Sequence, residues 1–599
     1  MRSPARVLNS LTKHSQTTEY RFERLYRILF NEEMYYLAYQ RIYAKPGNMT
    51  QGADGETIDR MSLPRIEKLI LSLKDESYSP QPSRRVHIPK KNGKTRPLGV
   101  PSFDDKLVQE VVRMVLEAIY EGHFEDTSHG FRPHRSCHTA LNAVQKTFTG
   151  KKWFIEGDIK GFFDNVNHDI LIDILKERIS DERSIRLIRK FLRAGYLEQW
   201  RFHGTYSGMP QGGIISPVLA NIYLDKLDKY MKEYAAGFDR GNRVRAYREY
   251  EVLTYQKRLV MRELKTATNN VERKVLVNRL KEIDKTRSAM PCFDPMDGNF
   301  KRLKYVRYAD DFLIGIIVSK VKIKDDIKRF LADRLALELS DEKTLVTHTE
   351  KPAKFLGYEV TVRRSNLQKR NKRGSLSRVY GNKVRLKVTT EVIKKKLLEL
   401  GVLKFSYHNG HEQWIPKHRS ELINNDDLEI LDSYNAEIRG FYNYYSIANN
   451  ASELNTFHYI MQYSMYKTFA GKYRTTVRRI CQKYKRNGVF TVGYTVKNGQ
   501  VKERRLYNEG FKRKRPSYDR SVDRCPNPMP GVSTTSLIDR LKAQKCELCG
   551  ATDNLVMHHV RKLGELKGKE NWEKLMIARR RKTMAVCGSC HQKIHHGTF

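Results

Sequence analysis

The sequence predicts an α+β chain of several domains, and three observations carry that reading. The stretch Tyr305-Val306-Arg307-Tyr308-Ala309-Asp310-Asp311-Phe312-Leu313-Ile314-Gly315-Ile316-Ile317-Val318 is two runs of β-formers meeting at a pair of acids, the pattern of a strand–turn–strand. Residues 426–486 instead repeat their apolar positions at helical spacing, as in Leu428, Leu431, Tyr434 and Ile438. The last sixty residues carry two Cys-x-x-Cys pairs, the mark of a small metal-stapled unit. At 599 residues, several such domains are expected.

Bulk composition narrows the partners. The 39% apolar content suffices for ordinary cores, and the formal charge is +44, from 112 Lys and Arg against 68 Asp and Glu. So strong a positive balance implies a polyanion, because neutralising phosphates releases counterions. A membrane surface is the other partner of a basic protein, but no run of about 18 apolar residues spans a bilayer here. Aromatics at 10% suit base stacking, although most serve cores. The thiols read as metal ligands in a reducing compartment. Met1 to Thr18 is basic, with no acid before Glu19. It reads as an RNA-binding arm in preference to an organelle transit peptide, which shows a clearer amphipathic helix.

Taken in order, residues 19–45 place Tyr20, Phe22, Leu25, Tyr26, Leu29 and Phe30, then Tyr35, Tyr36 and Tyr39, at helical spacing, mostly as core. Gly47 to Ile58 reads as a loop, and helix follows to Lys74. Val86-His87-Ile88-Pro89-Lys90-Lys91-Asn92-Gly93-Lys94-Thr95-Arg96-Pro97-Leu98-Gly99 reads as strand, Asn-Gly turn, strand. Phe103 to Tyr120 is an amphipathic helix. Trp153 to Asp158 is a short apolar strand ending in an acid. If it lies beside the Asp310-Asp311 hairpin, three carboxylates meet. Like charges packed so closely repel unless a cation sits between them. Three acids suit two Mg²⁺ ions about 3.5–4 Å apart, one activating an attacking 3′-hydroxyl and the other steadying a leaving pyrophosphate. A water-satisfied Asp-Asp turn is the bland alternative.

Residues 232–300 are strongly charged, with Leu276, Leu280 and Ile283 at helical spacing, and read as a helical insertion. Asn366 to Asn382 is a basic linker or loop. In the helical segment, Lys467, Lys472, Arg474, Arg478, Arg479, Lys483, Lys485 and Arg486 cluster without acids. A charge run is usually a solvated face, but this one is long and single-signed, which favours RNA phosphate. Val489 to Tyr507 reads as a hairpin turning at Lys497-Asn498-Gly499. Lys512-Arg513-Lys514-Arg515 follows, and Pro526, Pro528 and Pro530 mark a linker. Cys546, Cys549, Cys587 and Cys590 supply four thiolates, enough for a closed tetrahedral Zn²⁺ site. His558, His559, His591 and His595 accompany them. The last two, four apart, share one face of a helix.

Tyr308-Ala309-Asp310-Asp311, Gly208-Met209-Pro210-Gln211-Gly212-Gly213-Ile214-Ile215-Ser216-Pro217, Gly130-Phe131-Arg132-Pro133 and Phe355-Leu356-Gly357, in this order, resemble the proteins encoded by bacterial group II introns. The resemblance runs over essentially the whole chain. It implies a right-hand reverse transcriptase with fingers and an antiparallel-sheet palm, an α-helical thumb or maturase domain, and a zinc-stapled HNH endonuclease of ββα-metal type. The implied bounds are 1–75 for an N-terminal extension and template loop, 76–365 for fingers and palm, 366–488 for thumb and maturase, 489–540 for a DNA-binding region with linker, and 541–599 for the nuclease. Asp158, Ile159, Asp310 and Asp311 would hold Mg²⁺. Lys90, Arg96, Gln211 and Lys343 would meet the nucleotide, and Phe162 would exclude a ribose 2′-hydroxyl. In the nuclease, His558, His591 and His595 would hold a divalent ion and His559 would be the general base. Asn571 is the candidate for the middle element of that motif.

The resemblance further implies an intron RNA held as a ribonucleoprotein, a target DNA, dNTPs, a cytoplasmic setting in a bacterium and splicing coupled to DNA nicking and cDNA synthesis. A homodimer stays open. Two competing readings are a splicing factor that binds RNA with a dead polymerase, and a reverse transcriptase of retron or defence type. The first expects loss of Asp158, Asp310 or Asp311, all of which are present. The second needs neither a maturase-like region nor a nuclease.

Overall fold

We describe a computed structural model of the chain, covering all residues except 1, 44, 46, 90–94, 295–296, 318–320, 364–366, 371–375, 379–380, 496–499, 524–536, 562, 580 and 598–599. Its organising element is a four-stranded antiparallel sheet in the order Arg302–Tyr308, Asp311–Ile317, Trp153–Asp158, Leu345–His348. The apolar run around the acid pair is nearly continuous because both faces of this sheet are buried. Leu303, Tyr305, Phe312, Ile314, Ile316 and Ile155 point into one core, where the helices Phe103–Tyr120 and Ser216–Phe238 pack. Their neighbours Val306, Leu313 and Phe154 point the other way, into a second core shared with the helix Cys137–Thr147 and the helical segment beyond residue 426.

Local chemistry sets the element ends. The Ser102 hydroxyl accepts from the Asp105 backbone N–H, and Asp104 and Asp105 stand in the first turn of the helix Phe103–Tyr120. The strands Ser83–Pro89 and Thr95–Val100 pair antiparallel. Their turn, with Lys90, lies outside the described residues. The charged segment after residue 232 forms the helices Arg248–Thr266 and Asn270–Ala289, which enclose a small core of Val260, Ala267, Leu276 and Ile283.

Further on, the helices Asp427–Tyr445 and Leu454–Lys472 pack together around Tyr434, Ile438, Phe457, Met461 and Met465. The strands Val489–Thr495 and Val501–Arg505 pair antiparallel, with the turn Lys497-Asn498-Gly499 outside the described residues. At the C-terminus, Leu555–His559 pairs antiparallel with Thr583–Cys587, followed directly by the helix Gly588–His596. Among the described residues, no helix is long and apolar enough to cross a membrane.

Candidate metal centres

The sheet register brings the three acids together. Asp158 at the end of its strand lies opposite Asp311, and Asp311 opposite Tyr308, so Ala309 and Asp310 form the tip between strands. Ala309 takes a left-handed φ of 56° at this turn. The tip is seated on Gly130: a Cβ there would lie 2.3 Å from the Ala309 nitrogen, so only glycine permits the approach. Burial, then the neighbouring Asp310 and Asp158, pushes the Asp311 carboxyl up to about 7. Asp310 is raised as well, chiefly by burial, with Asp158 adding to it and Arg96 and Lys343 opposing it. Carboxylates packed this closely are short of positive charge, which is the condition a divalent ion relieves.

Lys343 supplies part of that charge, its Nζ donating to Asp158 Oδ2 at 2.7 Å. Ile159 has its side chain in the core, 1% exposed, so it offers this site only its backbone. The Gln211 carbonyl accepts from the Gly99 N–H at 2.7 Å, tying the glycine-rich turn to the strand that carries Arg96. Phe162 is turned inward, 2% exposed, against Phe163 and Tyr223, and Phe163 is the more open of the two rings.

Beneath the tip lies a group that sequence reading did not single out. Arg307 is fully buried, donating to Asp228 through Nε at 2.8 Å and Nη2 at 2.5 Å, to the Ser128 hydroxyl at 2.7 Å and to the Ala309 carbonyl at 2.8 Å. Asn221 completes the cradle by donating to the Gly130 carbonyl. Only the position of Arg307 in a run of apolar strand residues hinted at its burial.

The basic cluster divides in two. Lys467 donates to the Pro416 carbonyl, and Lys472 to Asp427 and the Asn425 carbonyl, so both are engaged within the helical segment. Arg474, Arg478, Arg479, Lys483 and Lys485 are exposed, the last two resting on tyrosine faces.

In the C-terminal unit the four cysteine sulfurs lie within 4.8 Å of one another, with Cys549 and Cys587 at 3.7 Å. Thiolates about 2.3 Å from one tetrahedral zinc sit roughly 3.8 Å apart, so the set fits that ion. The sulfurs share protons unevenly. Burial raises Cys587, but hydrogen bonds from Ser589 and the Cys590 backbone outweigh it and hold the thiol down to about 6. Cys590 is pushed up, first by burial and then by Cys549 and Cys587.

A second cluster joins His558, His591 and His595 to Asp59 of the N-terminal segment, also within 4.8 Å of one another. Among the described residues, neither ring nitrogen of the buried His558 has a hydrogen-bond partner, its Nδ1 lying 3.6 Å from Asp59 Oδ1. His559 stands beside this cluster, 4% exposed, and burial lowers its imidazole to about 4 against the opposing pull of Asp59. Asn571 opens the helix Asn571–Arg579, whose Trp572 packs edge-on against His558. Sequence reading assembled the histidines but not Asp59, which is separated from them by some five hundred residues and carries no motif of its own.

The chain matches three known families: a reverse transcriptase (RNA-dependent DNA polymerase) over residues 88–255, a type II intron maturase over 382–515 and an AI2M/AI1M-like HNH endonuclease over 546–591. The first match includes Asp158 but stops short of Asp310 and Asp311, which the sheet register adds to it. The chain is 43% identical over 606 residues to the group II intron-encoded protein LtrA of Lactococcus lactis subsp. cremoris, covering 100% of both chains. It is 34% identical to a putative COX1/OXI3 intron 1 protein of Saccharomyces cerevisiae, over 96% of this chain and 69% of that one. A 91 kDa protein in the cob intron of Schizosaccharomyces pombe is also 34% identical, over 95% and 69% of the respective chains.

Proposed function

Because the chain belongs to the group II intron-encoded proteins, and is therefore a reverse transcriptase with maturase and HNH endonuclease domains that binds intron RNA, we propose a division of that work between two catalytic metal centres. Asp158, Asp310, Asp311 and the Ile159 carbonyl are the polymerase ligands for two Mg²⁺ ions. The observation that carries this is the pairing of Asp158 with Asp311 beside the Ala309-Asp310 tip. Bound Mg²⁺ supplies the two-metal chemistry of phosphoryl transfer, lowering the cost of the attacking alkoxide and of the leaving pyrophosphate.

The protein's own groups do the positioning. Arg307 fixes the tip from below through the Ala309 carbonyl. Lys343 and Arg96 face the acids, and with metal bound there they would meet triphosphate oxygens, Arg96 with a planar fork. Lys90 is assigned to the same role from the family pattern. The Gly212 backbone, with φ at +115° where a Cβ would come within 2.6 Å of the Gly99 carbonyl, keeps the turn carrying Gln211 close to the nucleotide. Phe162 excludes a 2′-hydroxyl. Its edge-on contact with Phe163, its tilted contact with Tyr223 and its burial hold the ring in place, so a clash with a ribose is not relieved by the ring turning away.

Thumb and maturase functions fall to the helical segment, with the exposed Arg474, Arg478, Arg479, Lys483 and Lys485 on intron phosphates. In the nuclease, Zn²⁺ on Cys546, Cys549, Cys587 and Cys590 is structural. His558, His591 and His595 hold a divalent ion, and His559 takes the proton from water as DNA is nicked. The new 3′-hydroxyl then primes cDNA synthesis at the acid centre, which gives the chain its role in intron mobility. Primer extension by Asp310→Asn tests the polymerase assignment. Extension falls below detection while intron RNA affinity is kept, and retained extension removes Asp310 from the metal set.

A further inference from the structure

The N-terminal segment and the nuclease are joined at the nuclease's own catalytic residues. Asp59 lies between Ile58 and Met61 in sequence range, both fully buried, which fixes its position. Its Oδ2 meets His591 Nε2 at 3.0 Å and His595 Nε2 at 2.9 Å. Its Oδ1 accepts from the His559 backbone N–H at 2.8 Å and lies 3.6 Å from His558 Nδ1. One carboxylate therefore faces all three imidazoles assigned above to the divalent ion, and the buried His558, whose Nδ1 has only this longer contact and whose Nε2 has no hydrogen-bond partner among the described residues, points to an ion that belongs among them.

His559 is engaged in the same contact. Its Nδ1 lies 3.1 Å from the Met557 carbonyl, which can only accept, so Nδ1 carries the proton and Nε2 is the basic atom. Nε2 receives the hydroxyl of Tyr39 at 3.0 Å. Tyr39 is 0% exposed. The nitrogen that must accept a proton from water is thus already hydrogen-bonded to a phenol that excludes water. The rest of the contact is continuous: Met557 N donates to the Met61 carbonyl at 2.8 Å, Lys542 pairs with Glu33 at 3.1 Å, and Leu537, Ile538 and Leu541 join the main core.

We propose that Asp59 is a fourth protein ligand of the nuclease metal centre, donated by the N-terminal segment, and that this docked arrangement is the closed resting form of the nuclease, with Tyr39 holding the base. Three imidazoles leave a catalytic ion open to water and a phosphate oxygen, whereas four protein ligands close it. A carboxylate and a phosphate are alternative anionic oxygen donors to the same ion, so scissile DNA enters only as Asp59 and Tyr39 withdraw. The inference rests on the nuclease reading above.

The test uses full-length protein with three substitutions, Zn²⁺ as the probe ion and primer extension as the check on folding. In Asp59→Asn, the affinity for the second zinc, measured by chelator competition, falls at least about tenfold, the lower bound for losing even an outer-sphere partner. Hydrogen exchange of the Leu555–His559 amides accelerates, and nicking at saturating Mg²⁺ is faster than wild type. In Tyr39→Phe, nicking is faster while zinc affinity is unchanged. Unchanged zinc affinity and exchange in Asp59→Asn overturn the proposal. Nicking that falls together with zinc affinity overturns it too, because Asp59 is then a ligand of the working site. His558→Ala separates the two levels. It stops nicking if the nuclease reading holds, and if it nicks like wild type, that reading fails whatever Asp59 does.

Discussion

Arg307 and Asp228 form an ion pair at 2.5 Å in which both side chains are 0% exposed. The pair ties the strand ahead of the acid tip to the helix Ser216–Phe238, and the same guanidinium holds the Ala309 carbonyl. Removing one partner strands the other charge in the core, which costs about 3–5 kcal/mol. Arg307→Ala is therefore expected to lower the unfolding midpoint and abolish primer extension together. Arg307→Lys retains charge but loses the fork and should recover stability only in part. Thermal unfolding with parallel extension assays checks both. A stable, active Arg307→Ala would mean the tip is held by other contacts.

Lys343 donates to Asp158 at 2.7 Å, where the family pattern expects triphosphate. A hydrogen bond to a charged group is worth roughly 1.5–3 kcal/mol. Lys343→Ala should therefore lower kcat/KM for dNTP about 10- to 100-fold with template-primer affinity unchanged. Steady-state extension at varied dNTP measures this, and an unchanged kcat/KM removes Lys343 from the nucleotide site.

The sulfurs of Cys546, Cys549, Cys587 and Cys590 close around one point. Cys549→Ser is expected to lose the structural zinc and the exchange protection of Leu555–His559 and Gly588–His596, because zinc binding supplies folding energy to so small a unit. Primer extension persists. Metal analysis and hydrogen exchange test this, and a Cys549→Ser protein with full zinc and full protection contradicts it.

Arg478, Arg479, Lys483 and Lys485 stand exposed around the helix Val477–Tyr484. If each meets an RNA phosphate, their joint replacement by Ala reduces the slope of log affinity against log salt by roughly 3, taking about 0.7–0.9 per contact. Filter binding of intron RNA across a salt series reads the slope. An unchanged slope places the RNA surface elsewhere.

Legibility in the sequence followed locality. The strand–turn–strand at Asp310-Asp311 was readable because β-formers flank the acids directly, and Phe103–Tyr120 because its apolar positions repeat at helical spacing. The cysteine and histidine sets announced themselves by spacing. What stayed hidden depends on long-range packing. Arg307 looks like any strand cation until Asp228 is brought beneath it. Lys467 and Lys472 sit in a run of charges, yet turn to the carbonyls of Pro416 and Asn425, since neighbouring segments leave those acceptors within reach of a long flexible side chain. Tyr39 read as a core aromatic, which it is, while its hydroxyl ends on His559. No local pattern couples residue 39 or 59 to residue 559.

The proposed division of work places the nick at one catalytic metal centre and its extension at the other, and the two are separable. The most direct test is target-primed cDNA synthesis by the full-length protein with its lariat RNA, scored for strand nicking and extension in the same reaction. The predicted result is that Asp310→Asn nicks but does not extend. His559→Ala should not nick intact DNA, yet should extend a target nicked beforehand. If Asp310→Asn extends the nick, or His559→Ala nicks intact target normally, the assignment of the two centres is contradicted.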